Sequence, residues 1–96
     1  MSMHNPPHPG EFIREVYLEP LGISYRAVAS KLHVAPSTFH RLIQCRGSIR
    51  SEMALRLSKT LGRSPESWLA MQSNYDLWRT KQRVNLDEVE ELAILR

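Results

Sequence analysis

Ninety-six residues, 42% hydrophobic and 24% charged, describe one folded domain with room for a single modest core. No apolar run is long enough to span a bilayer, and the opening MSMHNPPHPGEF lacks a charged region leading into an apolar one, so neither a membrane helix nor a secretory signal is expected. The net charge of +3 hides an uneven distribution. Residues 24–63 carry eight basic side chains (Arg26, Lys31, Arg41, Arg46, Arg50, Arg56, Lys59, Arg63) against Glu52 alone, a local +7, while the stretches on either side are each −2. Such a block is the footprint of a polyanion-binding surface, or more plainly a solvated positive face.

Alternating β-branched runs are absent and 3.6-residue apolar periods recur, so the chain reads as all-α. A first helix is expected from about Pro9 to Glu19, with Phe12, Ile13, Val16 and Tyr17 on one face and Pro20 stopping it. Ser24 is a good N-cap for a second helix carrying Tyr25, Val28, Ala29 and Leu32 inward. After a break at His33, Val34 and Ala35, Pro36 opens a third helix that runs to about Gln44. The fourth spans about Ser51 to Leu61, with Met53, Ala54, Leu57 and Leu61 inward, and Gly62 ends it. Ser64-Pro65 starts a long fifth helix reaching about Lys81, with Trp68, Met71, Gln72, Tyr75 and Trp78 at helical spacing. Finally, Asn85-Leu86-Asp87-Glu88 has the form of a capping box and predicts a short acidic helix bearing Leu86, Val89, Leu92 and Ala93.

Helices two and three are short, tightly joined and set within the basic block, the arrangement of a helix-turn-helix over about residues 24–44. At roughly 100° per residue, Phe39, Leu42 and Ile43 share one side of the third helix, so the opposite side is centred on Ser37, Arg41 and Gln44 with Thr38 and His40 beside them. These side chains suit base edges: arginine forks onto guanine, glutamine pairs with adenine, and hydroxyls adapt to either. Ser24, Tyr25, Arg26, Arg46 and Arg50 flank the two helices and suit phosphates. An ordinary polar helix face is the plainer alternative.

HNPPHPGEFIREVYLEPLGIS, VAPSTFHRLI and SEMALRLSKTLGRSPESWLAMQSNYDLW resemble the HigA family of antitoxins, within the wider Xre/Cro-like helix-turn-helix group, over about residues 4–79. The resemblance implies a five-helix Cro/lambda-repressor-like domain, to which this chain adds the short C-terminal helix. It also implies a homodimer, a palindromic double-stranded DNA operator in its own operon, and a HigB toxin partner that resembles RelE and cleaves mRNA. On it, base contacts fall on Ser37, Thr38 and Arg41. Three positions depart from the family pattern. His33 stands where glycine is frequent at a positive-φ turn, Ala35 where serine usually caps the third helix, and Gln44-Cys45 where Asn-Gly usually follows it.

Other chemistry finds little support. His4, His8, His33, His40 and Cys45 have no metal-ligand spacing, so no metal or other cofactor is expected. No nucleophile motif, phosphate loop or carboxylate pair suggests an enzyme. The lone Cys45 excludes an internal disulfide, suits a reducing cytosol, and reads as a small residue rather than a redox sensor. Three functions remain open: an antitoxin, a helix-turn-helix regulator without a toxin, and a protein-interaction module that has lost DNA binding. The apolar surplus in residues 64–96 places the dimer interface there. The acidic cluster Asp87, Glu88, Glu90 and Glu91 is either a solvated face or a contact for a basic toxin.

Overall fold

The computed structural model describes residues 5–93, which leaves His4 outside the described residues. Helix α1 (Pro9–Ile13) runs directly into a π-helical turn (Arg14–Leu18), followed by α2 (Tyr25–Leu32), α3 (Pro36–Ile43), α4 (Ser51–Leu61) and α5 (Pro65–Lys81). No strand occurs among the described residues. One core joins all five helices through Ile13, Ala29, Phe39, Ala54, Leu57 and Trp68, each completely buried.

Most boundaries fall where local chemistry puts them. Ser24 and Ser64 accept hydrogen bonds from Ala27 N (3.1 Å) and Ser67 N (3.0 Å), and Pro65 takes the first position of α5. Three successive connections close in the same way. The N–H groups of Ile23, Val34 and Arg46 reach back to Leu18 O, Ala29 O and Arg41 O, around Gly22, His33 and Cys45 at φ 64°, 58° and 63°. These are Schellman closures, which need a left-handed residue at their centre. His33 therefore adopts the positive φ anticipated at that turn, and Cys45 adopts it too.

Two expectations are corrected. Val16 is 45% exposed, whereas Leu18 is buried. The π turn is the cause: Glu19 N bonds to Arg14 O, five residues back, and the wider turn rotates the register so that Leu18 replaces Val16 inside. Pro20, with no N–H, then stops the helix. Nor do the described residues after Asn85 form a helix. Asn85 Oδ1 accepts from Asp87 N (2.8 Å) and Leu86 O from Val89 N (3.0 Å), giving isolated turns in an otherwise extended tail. So short a segment does not hold a helix without packing, and residues 81–93 are all exposed.

Candidate nucleic-acid interface

The candidate surface is built on α3. Phe39, Leu42 and Ile43 are buried, which turns the stripe Ser37, Arg41 and Gln44, together with Thr38, outward; all four are exposed. Among the described residues, none makes a side-chain hydrogen bond or ion pair with them. The first turn of α3 is also open: Pro36 occupies its first position, and Ala35, as its sequence implies, supplies no capping side chain.

His40 is placed differently from its neighbours. It is half-buried, and its ring stacks on Tyr25 at 4.5 Å between centroids with a 32° tilt. The Arg26 guanidinium covers the same Tyr25 ring at 5.2 Å. The start of α2 and the middle of α3 are thus joined by an Arg26–Tyr25–His40 cluster that brings three of the expected residues together. Ser24 is exposed but its hydroxyl already caps α2, while Arg46 and Arg50 are exposed on the connection from α3 to α4.

Residues that sequence reasoning did not single out fix this surface in place. Arg56 of α4 donates from Nη1 to Leu32 O (2.7 Å) and His33 O (3.3 Å), and its other nitrogens hold Glu52 at 2.7 and 3.1 Å. It thereby ties down the turn that leads into α3. At the other end of α3, Arg14 donates to Ile43 O at 2.7 Å. Guanidinium groups therefore bind the backbone carbonyls that the C-terminal ends of α2 and α3 leave unbonded, on either side of α3. Glu52 and Arg56, four apart, were a visible pairing signal; the carbonyl contacts were not, because they join residues distant in sequence.

His8 is a further clamp. It is buried, its Nδ1 accepts from Gly10 N (2.8 Å) to cap α1, and its Nε2 donates to Gly47 O (2.8 Å) beyond α3. Burial is the main influence lowering its pKa below the ordinary imidazole value; the bond to Gly47 O opposes it. Gly10 itself lies against α3, where a Cβ would fall 1.8 Å from Leu42 O. Buried Gln72 of α5 accepts from Ile49 N at 2.8 Å and so holds the α3–α4 connection from the far side.

The basic block is consequently not one surface. Arg56 is committed to Glu52 and the α2 carbonyls, and Arg63 lies over Phe12 (5.1 Å) and Trp68 (5.7 Å) while donating to Ser67. Arg26, Arg41, Arg46 and Arg50 accompany the helix-turn-helix, whereas Lys31 and Lys59 line a separate groove between α2 and α4. No group of three or more potential metal ligands is found among the described residues, and no described helix is long and apolar enough to cross a membrane.

A buried α2–α3 corner presenting an open polar stripe defines an all-α helix-turn-helix protein of the Cro-like kind. No family model matches the chain. Virulence-associated protein I of Dichelobacter nodosus is 43% identical over 82 residues, covering 82% of this chain and 76% of that protein. Antitoxin HigA-1 of Vibrio cholerae is 38% identical over 74 residues, covering 77% of this chain and 70% of that protein. The structure of antitoxin GraA in complex with its operator superposes with a TM-score of 0.84 at 38% identity, covering 98% of this chain and 97% of that one. The chain belongs to the HigA family of helix-turn-helix antitoxins.

Proposed function

We propose that this protein binds a palindromic operator in its own operon as a homodimer, represses it, and neutralises a HigB-like toxin. The observation that carries the DNA reading is the α3 stripe of Ser37, Thr38, Arg41 and Gln44: exposed, opposite a buried face, on a helix held at its C-terminal end by Arg14 and preceded by a turn that Arg56 holds. A helix so fixed presents its side chains to the major groove without further ordering. Arg41 and Gln44 can then make bidentate contacts with guanine and adenine, and Ser37 and Thr38 adapt to neighbouring bases. His40, stacked on Tyr25, borders this set. Arg26, Arg46 and Arg50 take phosphates on either side, and Ser24 contributes through the helix it caps. GraA is described in complex with its operator, and that fold covers nearly all of this chain.

A single α3 offers few base contacts, and pairing doubles them across half-sites about one helical turn apart. Exposed Leu77, Val84, Leu86, Val89 and Leu92 lie on α5 and the tail, which supports an interface in residues 64–96. A chain cut after Lys81 that stayed dimeric would remove the tail from that interface.

Binding of the purified protein to its own upstream DNA, against scrambled DNA over a salt series, tests the operator reading. Selective, salt-sensitive binding is expected, and Arg41→Ala should weaken it by about 1–3 kcal/mol, roughly ten- to a hundredfold, while relaxing the preference for one base pair. Equal weak binding to both DNAs would sink the reading. Co-purification of the product of an adjacent short gene, and loss of its mRNA cleavage on mixing, tests the toxin partner.

A further inference from the structure

Resting on the homodimer reading above, we propose that the groove between α2 and α4 is where the acidic tail of the second copy of this chain docks. The groove has a volume of about 510 Å³ and is lined by Lys31, His33, Leu55, Arg56 and Lys59 among others, with no acidic side chain in its lining. That size accommodates several side chains. Arg56 is answered by Glu52 at 2.7 Å and by the carbonyls of Leu32 and His33, so the uncompensated charge comes from Lys31 and Lys59. Leu55 lines the same groove and is 60% exposed. An occupant must therefore be both acidic and apolar.

The tail has that composition. Leu86, Val89 and Leu92 recur every third residue and are 62%, 70% and 76% exposed, and Asp87, Glu88, Glu90 and Glu91 stand between them. An apolar series so exposed is out of place unless something covers it. The molecule measures 54 × 24 × 23 Å with a radius of gyration of 16.5 Å, against about 12.5 Å for a compact domain of this length. Every described residue after Thr80 is exposed, so the tail stands off its own body and is available to a neighbour. Docking would bury the leucines against Leu55 and bring the carboxylates to Lys31 and Lys59. Residues spaced by three lie on one helical face, so the groove also supplies the packing that the capping-box segment lacks. A basic partner is a poorer occupant, since it would meet like charge.

Full-length chains in a Cys45→Ser background provide the test. One carries Thr60→Cys in the groove lining, the other Ala93→Cys at the end of the described tail with a different tag, so that every charged residue of the contact is kept; they are mixed and treated with a short bis-maleimide. A cross-linked pair of unlike tags is expected, falling several-fold with Lys31→Glu in the groove copy or on raising the salt. Ser73→Cys, at an exposed position of α5, replaces Ala93→Cys as the control. Cross-linking no greater than that control, or confined to single chains, would overturn the proposal. So would Lys31→Glu weakening binding to duplex DNA while leaving the cross-link unchanged, which would assign the groove to nucleic acid. The tail contact is independent of operator selectivity, which Arg41→Ala reads.

Discussion

The polar side chains around α3 divide into two populations. Behind the helix and beside its ends, His8, Arg14 and Arg56 donate to backbone carbonyls of the segment from Leu32 to Ile49, and Gln72 accepts from Ile49 N. On the outer stripe, Ser37, Thr38, Arg41 and Gln44 are exposed and make no such bond. The first set holds the end of α3 and the connections on either side of it by their backbone, and the second set takes no part in that. Substitutions in the two sets should therefore read out differently: stability for the inner one, DNA affinity for the outer one.

The largest stability effect is expected at Gly10. A methyl group there would lie 1.8 Å from Leu42 O and 2.9 Å from Ile43 Cα, both backbone, so α1 would have to move off α3. Gly10→Ala should cost about 3 kcal/mol or more, measured by urea unfolding. A change under 1 kcal/mol would show that the two helices are not in close contact.

His8→Ala removes an N-cap and a buried bond to Gly47 O, with an expected loss of about 2 kcal/mol. It also carries a pH signature. Folding lowers the His8 pKa, chiefly through burial, so the unfolded chain takes up the proton first. The contribution is fully present above about pH 6.5 and declines as the pH falls below it. Urea midpoints at pH 7.5 and 5.5 should differ more in the parent than in His8→Ala; equal differences would remove His8 as the source.

Two substitutions should stabilise. Ala35→Ser adds the missing cap at the start of α3, an expected gain of about 1 kcal/mol in thermal or chemical unfolding. Cys45→Gly relieves a side chain at φ 63° in the Schellman closure after α3, for a smaller gain of about 0.5–1 kcal/mol. A loss on Cys45→Gly would mean that its half-buried side chain contributes packing that outweighs the backbone strain.

Much of this was legible in the sequence because it is local. Ser24, Ser64 and Pro65 mark helix starts through chemistry acting within three residues. The period of Phe39, Leu42 and Ile43 fixes which side of α3 faces in, and hence that Ser37, Arg41 and Gln44 face out. The capping box at Asn85 shows the limit of local signals: eight or nine residues with a good cap still form no helix where no surface packs against them.

What the tertiary structure alone decided is which residues act across the fold. The π turn exchanged Val16 for Leu18 in the core, and an apolar period cannot foresee a slipped hydrogen-bond register. His8, in a proline-rich lead, became a buried cap and tether 39 residues from its partner. Arg56, one basic residue among eight in its block, became the clamp on the turn before α3. The sequence sets helix positions, faces and total charge because these follow from neighbours along the chain. Whether a given arginine or histidine holds the fold or meets a partner depends on backbone carbonyls brought close only by folding.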